Sequence, residues 1–379
     1  MNPKPLHVLH ILGVTTDEGG TLSVVRSLQT APALRDVRQT TVVNARFQQT
    51  RKPDLTLERS EHLLGEHPSM LRLIATGLRA TRELREIATR IQPDILHAHH
   101  RGVLLPALRV GAALKIPVLS TNHSYANRTG LYRFLAKSGW LETVFLTPAM
   151  LGHYGVVQEP RRVHVVSACF DDRYLAAPLV QARKGGEPFR IVGVGSIVRW
   201  KNWGIILEAL RRLTDQERLM VRFHHWGPVS PDDDSRAYNE ELKRKTADWG
   251  LSEVIRWNGP TQQVIEALSQ AHAFIIPSNN EPCSVALMEA MALGLPGIAS
   301  RSGGSVDIID EGRTGLLFGM NDAGALAEKL RAVVEGSARL AAPAVIRESV
   351  RHRCASAVGA AYRELYTQVV GRHARRPRA

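Results

Sequence analysis

Cysteine is scarce in this chain of 379 residues, which contains only Cys169, Cys283 and Cys354. Three thiols spread so far apart exclude a disulfide framework and a zinc site built from thiolates, so the sequence predicts a cytosolic protein. No run of about 18 apolar residues occurs, which excludes a membrane-spanning helix of ordinary length. Pro3 and Pro5 precede the first apolar run, and no signal peptide is predicted.

Acidic residues are outnumbered, and the net charge is +13. Residues 1–172 hold 21 Lys and Arg against 14 Asp and Glu, and residues 371–379 contribute a further +4. This excess fits a surface that contacts anionic lipid or a phosphate-bearing acceptor. An Arg-rich composition with a disordered tail explains it equally well. Nucleic acid is not expected as a partner, because no basic stretch is interleaved with aromatic residues and no helix-turn-helix pattern occurs.

Short apolar runs alternate with amphipathic segments along the whole chain, which is typical of parallel α/β domains. With helices between them, strands are predicted at 6–13, 40–44, 94–99, 117–121, 144–147, 163–167, 189–195, 220–226, 254–258, 273–277 and 297–300. A polar linker is predicted at 177–188 and divides two doubly wound domains. One long helix is predicted over 343–370.

The most informative stretch is SNNEPCSVALMEAMALGLP at 278–296, in which Glu281 and Glu289 flank the start of a predicted helix. Ser284 is a good N-cap for that helix. A strand that leads into a helix N-terminus presents free N–H groups and a positive dipole end to an anion. Glu289 lies a little over one turn inside, roughly 5–8 Å along the axis. That is about the distance from a diphosphate to the ribose of the same nucleotide, so the segment predicts a nucleotide-sugar site.

This stretch resembles the Glu-x7-Glu signature of the family-4 glycosyltransferases (glycosyl transferases group 1), which are retaining enzymes of the GT-B fold. The match continues through Gly303-Gly304 and the GRTGLL run at 312–317. The resemblance implies an α/β fold of two Rossmann-like domains that face each other across a cleft. Residues 1–172 would form the acceptor side and 173–359 would bind the nucleotide sugar, with a helix at 360–379 crossing back to the first domain.

A second candidate is IVGVGSIVRWKN at 191–202, which runs from a strand through a Gly-containing loop into a helix. Lys201 matches a family lysine that would neutralise the diphosphate leaving group. Ser196 stands where the family usually has an arginine, and Arg199 is the candidate to supply the missing charge. An exposed surface lysine is the alternative interpretation of Lys201.

Two features of the first half also match the family. Gly19-Gly20 resembles its Gly-Gly loop, which lets the backbone approach a phosphate or an acceptor closely, although a plain turn is the alternative. His123 matches a histidine beside the transferred sugar, where it would form a hydrogen bond or assist acceptor deprotonation. A buried structural histidine is an equally good interpretation.

Metal sites are not expected. Because adjacent strand residues point to opposite faces, His97-x-His99-His100 and His224-His225 are interpreted as structural. The acidic run at 232–234 precedes a helical pattern and is predicted to cap that helix.

The resemblance implies a metal-independent, retaining hexosyltransferase that needs no cofactor. Its donor would be a UDP- or GDP-sugar, and its acceptor a glycan or lipid-linked molecule in exopolysaccharide or lipopolysaccharide assembly. The expected catalytic residues are Glu281, Lys201 and His123. The expected donor-binding residues are Gly19, Gly20, Ser196, Arg199, Lys201, Cys283, Ser284, Val285 and Glu289.

The expected location is the cytoplasm, with peripheral contact to the inner face of the plasma membrane. Two alternatives stay open. One is a nucleotide-sugar epimerase of the same fold, and the other is a degenerate sugar-nucleotide binder without catalysis, which the departure at Ser196 would mark.

Overall fold

The structure, a computed structural model, describes residues 5–17, 19–50, 54–67, 69–183 and 186–374. The chain forms two compact units, Met1–Cys169 with Ala355–Ala379, and Phe170–Cys354. The boundaries predicted from the sequence, after residues 172 and 359, lie a few residues C-terminal to these. In the part of the chain that is described, no helix is long and apolar enough to cross a membrane.

The first unit is built on a seven-stranded parallel sheet in the order β3-β2-β1-β4-β5-β6-β7. Its strands are β1 His7–Ile11, β2 Arg38–Asn44, β3 Leu57–Ser60, β4 Ile95–Ala98, β5 Val118–Asn122, β6 Glu142–Phe145 and β7 Val163–Val165. Its helices begin with α1 Gly20–Thr30, α2 Met70–Ile91, α3 Arg101–Leu114, α4 Gly130–Ser138 and α5 Pro148–Tyr154. The central strands β1, β4 and β5 are buried along their whole length, as expected of a parallel sheet covered on both faces.

The second unit is built on a six-stranded parallel sheet in the order β10-β9-β8-β11-β12-β13. Its strands are β8 Phe189–Val194, β9 Val221–Trp226, β10 Ile255–Trp257, β11 Ala273–Ile276, β12 Gly297–Ser300 and β13 Gly315–Phe318. Its helices are α6 Arg173–Ala176, α7 Gly204–Arg211, α8 Asp215–Leu219, α9 Asp233–Asp248, α10 Val264–Ser269, α11 Val285–Ala292, α12 Ala323–Glu335 and α13 Pro343–Val350. The fold class predicted from the sequence, two Rossmann-like α/β domains, is confirmed.

The strand orders decide where ligands are expected. In each sheet the first strands are added toward one edge and the later strands toward the other. The order switches between β1 and β4 in the first unit and between β8 and β11 in the second. Ligands of open parallel sheets bind outside the carboxyl ends of the strands at such a switch point. The loops after β8 and β11, which carry the sequence candidates of the second unit, therefore leave the sheet at its expected ligand site.

The prediction of one helix over 343–370 is wrong. Helix α13 ends at Val350, a 3₁₀ turn spans Arg351–Arg353, and α14 runs over Ala355–Ala374 as part of the first unit. Cys354 forms a β-bridge with Phe170, whose N–H donates to the carbonyl oxygen of Arg353 over 3.3 Å. These backbone hydrogen bonds replace helical ones and interrupt the helix where the chain leaves the second unit.

The predicted linker at 177–188 belongs to the second unit rather than lying between two domains. The N–H of Val180 donates to the carbonyl oxygen of Leu293 over 2.9 Å, and the Arg183 guanidinium donates to that of Val334 over 2.7 Å. Lys184 and Gly185, which suggested the linker, lie outside the described residues.

Candidate functional site

The loop between β11 and α11 is held by the serines that follow the neighbouring strand. The hydroxyls of Ser300 and Ser302 both donate to the carbonyl oxygen of Ser278, the latter over 3.0 Å. Ser302 also accepts a hydrogen bond from the N–H of Asn280 over 2.9 Å. Asn280 has a φ of 59°, a left-handed conformation that asparagine tolerates better than most residues. The loop therefore has one fixed path from the strand to Glu281.

The Gly303-Gly304 pair packs directly on the backbone of Glu281. The N–H of Gly304 donates to the carbonyl oxygen of Glu281 over 2.7 Å. Gly303 has a φ of +55°, and a Cβ at this position would lie 2.0 Å from the same oxygen. Only glycine fits here, because a side chain would displace the backbone that presents Glu281.

Lys201 and Glu281 form an ion pair, with 2.5 Å between Nζ and Oε2. Their side chains are only 13% and 10% exposed. Lys201 ends a 3₁₀ turn, Arg199–Lys201, and the carbonyl oxygen of Trp200 in that turn accepts a hydrogen bond from the N–H of Asn279 over 2.8 Å. The interpretation of Lys201 as an exposed surface residue is therefore wrong. The structure brings together the lysine and the first glutamate of the sequence motif.

The N-terminus of α11 follows Glu281 by a few residues. Ser284, which is buried, caps the helix as predicted: its Oγ accepts from the N–H of Leu287 over 3.2 Å. Cys283 is buried and reduced, and Val285, the first residue of the helix, is partly exposed. The first N–H groups of a helix lack partners within it, so this end attracts anions. The predicted donor-binding residues of this segment thus surround an electropositive helix end.

Glu289 lies in the second turn of α11 and is half-buried. Its carboxylate accepts a hydrogen bond from Tyr174, and burial followed by the charge of Glu289 raises the pKa of that phenol. The charge of Glu289 also acts on Arg173 beside it. The sequence interpretation missed Tyr174 and Arg173, because no motif marks them.

Ser196 and Arg199 lie in the loop after β8 but differ in their surroundings. The carbonyl oxygen of half-buried Ser196 accepts a hydrogen bond from Trp203 Nε1 over 3.1 Å. The Arg199 guanidinium is half exposed and pairs with Asp234 at 2.7 Å and Glu241 at 3.1 Å, both on α9. Two carboxylates of α9 thus already pair with Arg199, and its role in place of the missing arginine stays a prediction.

The acidic run at 232–234 is a helix cap, as predicted. Oδ1 of Asp232 accepts from the N–H of Ser235 over 2.9 Å, and this hydrogen bond chiefly lowers the pKa of the Asp232 carboxyl. Asp234 holds Arg199. These carboxylates have structural partners.

In the first unit, Gly19 and Gly20 mark the start of α1. Gly19 is the N-cap residue with a φ of 105°, and its carbonyl oxygen accepts from the N–H of Ser23 over 3.2 Å. A Cβ at either glycine would meet no atom within 4 Å among the described residues. The backbone here is open to a ligand, and the conformation at Gly19 favours glycine.

His123 directly follows β5, and its Nε2 lies 3.1 Å from Nδ1 of His99. Loss of hydration lowers the pKa of His123 to about 3, so the ring is neutral at pH 7. His99 in turn lies 3.0 Å from His10, and their rings pack against His97. The predicted site residue is thus one end of a histidine cluster, defined here as His10, His97, His99 and His123.

The alternation of adjacent strand residues, from which no metal site was expected at His97-x-His99-His100, does not separate His97 from His99. Adjacent strand residues alternate, but residues two apart share a face, and the rings of His97 and His99 are 4.1 Å apart. Ring nitrogens of His10, His97 and His99 lie within 4.8 Å of one another, a spacing at which a metal ion could be held. Both nitrogens of His97 already have partners, the hydroxyls of Tyr366 and Thr121, each at 2.8 Å.

The predicted basic tail is only partly described. Arg372 lies within α14 and holds Glu142 with two hydrogen bonds of 3.0 and 2.5 Å. Arg375, Arg376 and Arg378 lie outside the described residues. At least one charge of the tail is therefore engaged inside the first unit.

Comparison with protein families gives two matches. The profile described as "Glycosyl transferases group 1" matches residues 188–336, and that described as "Glycosyltransferase Family 4" matches residues 23–182. Together they include the loops after β8 and β11.

Among curated proteins, the chain is 26% identical to the sulfoquinovosyl transferase SQD2 of Arabidopsis thaliana over 280 residues, which are 67% of this chain and 52% of that protein. It is 30% identical over 201 residues to the putative colanic acid biosynthesis glycosyltransferase WcaL of Escherichia coli K12, covering 50% of this chain and 46% of that protein. The matched region thus spans about half the length of these relatives.

Among solved structures, the chain resembles a sucrose-phosphate synthase from Thermosynechococcus elongatus with a TM-score of 0.76, at 19% identity over 97% of this chain and all of that one. It also resembles a protein of Anabaena, HepE, solved in complex with UDP-glucose, with a TM-score of 0.70 at 14% identity, covering 97% of this chain and 98% of that one. At such identities the likeness establishes the fold.

Proposed function

Because the chain belongs to the family-4 glycosyltransferases of the GT-B type, we propose that it is a retaining enzyme that uses a nucleotide-diphosphate sugar. The donor would be a UDP- or GDP-sugar, and the sugar would pass to a glycan or lipid-linked acceptor in exopolysaccharide or lipopolysaccharide assembly. The observation that carries the proposal is the Lys201–Glu281 pair just before the N-terminus of α11. It combines a cation, a carboxylate and a positive helix end on loops of adjacent strands.

The task of this site is to stabilise the diphosphate as it leaves. Negative charge develops on the leaving phosphate in the transition state, and preorganised donors aimed at that charge supply much of the catalysis. The Lys201 ammonium and the first N–H groups of α11 can serve as these donors. Since Lys201 is nearly buried, its charge acts in a less polar environment than water and is less screened.

The two carboxylates of the motif receive different tasks. Glu281 would bind sugar hydroxyls and stabilise positive charge on the anomeric carbon, because its loop is fixed by Ser302 and Gly304. Glu289 would bind the ribose hydroxyls, since it lies one turn farther along α11 and remains partly exposed. Tyr174 donates to Glu289 and would orient that carboxylate.

Retention of configuration follows from attack on the face that the leaving group occupies. The bond between the anomeric carbon and the phosphate oxygen breaks, and a bond forms between that carbon and the acceptor oxygen. The proton of the acceptor hydroxyl passes to an oxygen of the departing phosphate. No covalent enzyme intermediate is required.

A donor screen tests this function. The full chain is heated with UDP-glucose, UDP-galactose, UDP-N-acetylglucosamine and GDP-mannose, and nucleotide release is measured for any donor that raises the melting temperature. We expect one nucleotide class to stabilise the protein and to be released. Isomerisation of the donor without release would favour the epimerase, and stabilisation without any turnover would favour the non-catalytic binder.

Chelation is expected to leave turnover unchanged. We propose that Lys201 and the N-terminus of α11 supply the positive charge that a divalent ion supplies elsewhere. Nucleotide release is compared before and after EDTA treatment and dialysis. Loss of activity with recovery on adding manganese or magnesium would contradict the metal-free mechanism.

We further propose that helix α2 contacts an anionic membrane surface at the inner face of the plasma membrane. Four of its apolar side chains are exposed by 44–80%: Met70, Leu71, Ile74 and Leu78. They recur at three- and four-residue spacing and form one stripe along the helix. Exposed arginines accompany them at positions 72, 79, 82 and 85. An apolar stripe beside basic residues is the pattern of helices that lie in a membrane interface.

Replacing Leu71 by glutamate should reduce binding to vesicles of phosphatidylglycerol by several-fold, because it places a carboxylate in the apolar stripe. Val157→Glu is the matched control, since both side chains are 80% exposed in the first unit and only Leu71 belongs to α2. Binding is measured by vesicle sedimentation at low and high salt. Equal binding of the two variants would exclude α2 as the contact surface.

A further inference from the structure

A continuous chain of hydrogen bonds connects Gln39 on β2 with His123. Oε1 of Gln39 lies 3.1 Å from Nε2 of His10, and Nδ1 of His10 lies 3.0 Å from Nε2 of His99. Nδ1 of His99 lies 3.1 Å from Nε2 of His123. His10 and His99 thus each use Nε2 toward Gln39 and Nδ1 toward the next ring, and His123 ends the series with its Nε2 on His99.

The amide of Gln39 determines which nitrogen donates in each hydrogen bond of this series. Its Nε2 points to the carbonyl oxygen of Leu28 at 3.5 Å, which leaves Oε1 facing His10. An amide oxygen can only accept a hydrogen bond, so Nε2 of His10 must carry the proton and donate. The opposite amide orientation would set two oxygens against each other at Leu28.

Because the rings are neutral, the donor and acceptor roles set at Gln39 are fixed for every hydrogen bond from His10 to His123. Burial chiefly lowers the pKa of His10 to about 4 and that of His99 well below its usual value. A neutral imidazole has one donor and one acceptor nitrogen. With its proton on Nε2, His10 accepts at Nδ1 from Nε2–H of His99, which accepts at Nδ1 from Nε2–H of His123. Nδ1 of His123 is then unprotonated, and it has no hydrogen-bond partner among the described residues.

We propose that Gln39 is a positioning residue that acts through His10 and His99 to hold His123 in the tautomer whose Nδ1 is unprotonated. This inference rests on the proposed glycosyl transfer and on the family resemblance, which implies that His123 lies beside the transferred sugar. His123 then accepts a hydrogen bond from a substrate hydroxyl at Nδ1 and does not donate one there. A flipped tautomer would instead donate to the oxygen of that hydroxyl, so the hydroxyl proton would lose its acceptor.

The spacing of His10, His97 and His99 would also suit a metal ion, which is the competing interpretation of the cluster. A metal would take the nitrogen lone pairs that the hydrogen-bond chain uses. The relay and the metal site therefore exclude each other at His10 and His99. Zinc content thus distinguishes them.

The first test reads the tautomer of His123 in the wild-type protein. The full chain is labelled with ¹⁵N-histidine, and the His123 signals are assigned by their loss in His123→Gln. At pH 7 we expect the chemical shift of an unprotonated nitrogen for Nδ1 and of a protonated one for Nε2. A protonated Nδ1, or stoichiometric zinc by elemental analysis, would overturn the proposal. Since no substrate is present, this measurement is independent of turnover.

The second test removes the anchor. Gln39→Met keeps the length of the side chain but removes the acceptor, and we expect the other His123 tautomer to appear with a drop in kcat of about tenfold and little change in KM. That is a partial loss of the roughly hundredfold or more that positioned acid–base groups contribute. Gln29→Met is the control, because Gln29 is also half-buried but binds Thr41 at 3.4 Å, outside the chain. Unchanged His123 signals in Gln39→Met, or equal loss of kcat in both variants, would refute the role of Gln39.

Discussion

Replacing Lys201 by methionine is expected to lower donor turnover by about 2–4 kcal/mol of transition-state stabilisation, or roughly 30- to 1,000-fold. Methionine keeps much of the packing volume but removes the charge that faces the leaving diphosphate. Nucleotide release under saturating donor measures the effect. Lys243→Met is the matched control, since Lys243 is a half-exposed lysine of the same unit that pairs with Glu240. We expect the control to retain wild-type turnover.

The same substitution should also lower the free energy of unfolding, because it leaves Glu281 nearly buried without its partner. Removing one member of a buried pair costs several kcal/mol, whereas removing both is often close to neutral. Lys201→Met with Glu281→Gln should therefore recover stability in urea denaturation while remaining inactive. If that double variant recovered turnover as well, the Lys201 effect would be one of stability and not of catalysis.

Replacing Gly303 by alanine is expected to abolish most donor turnover although no side chain of the site changes. The new Cβ would lie 2.0 Å from the carbonyl oxygen of Glu281, so the catalytic loop must shift. We expect turnover to fall at least 100-fold, and the free energy of unfolding to fall by about 3 kcal/mol, the upper range for overpacking. Nucleotide release measures the turnover, and urea denaturation measures the free energy of unfolding.

Gly336→Ala separates this clash from backbone strain. Gly336 also has a positive φ, of 76°, but a Cβ there would meet no atom within 4 Å among the described residues. Its variant should lose only about 1 kcal/mol, the cost of a left-handed conformation, and should retain turnover. Equal losses in Gly303→Ala and Gly336→Ala would show that the Glu281 backbone is not held by this contact.

The fold was predictable because its signals are local. Buried parallel strands form continuous apolar runs, as β11 and β12 do, and these were located within a residue or two. Strand β13 was nevertheless missed, although its sequence, GLLF, is apolar and buried. Strand β3 was missed because its sequence, LERS, is polar. Among the described residues it is an edge strand that pairs with β2 alone, and Glu58 and Arg59 lie on it. The break after α13 was missed because hydrogen bonds with distant Phe170 cause it.

The candidate site was predictable only in part. The spacing of Glu281 and Glu289 and the cap at Ser284 follow from helical periodicity, which a sequence contains. Helical periodicity does not show whether a cation such as Arg199 already has carboxylate partners, because Asp234 and Glu241 lie on another element. The contact of His10 with His99 likewise depends on the pairing of β1 with β4, which sequence spacing does not contain.

The proposed retaining mechanism can be tested directly by the anomeric configuration of the first sugar released from an α-linked nucleotide sugar. The wild-type chain is incubated with the donor found in the screen, and proton NMR follows the slow transfer to water before the product anomers equilibrate. We expect the α-anomer to appear first, together with the free nucleotide diphosphate. Initial release of the β-anomer would contradict the retaining mechanism, and no release from any nucleotide sugar would contradict the assignment of the Lys201–Glu281 site to glycosyl transfer.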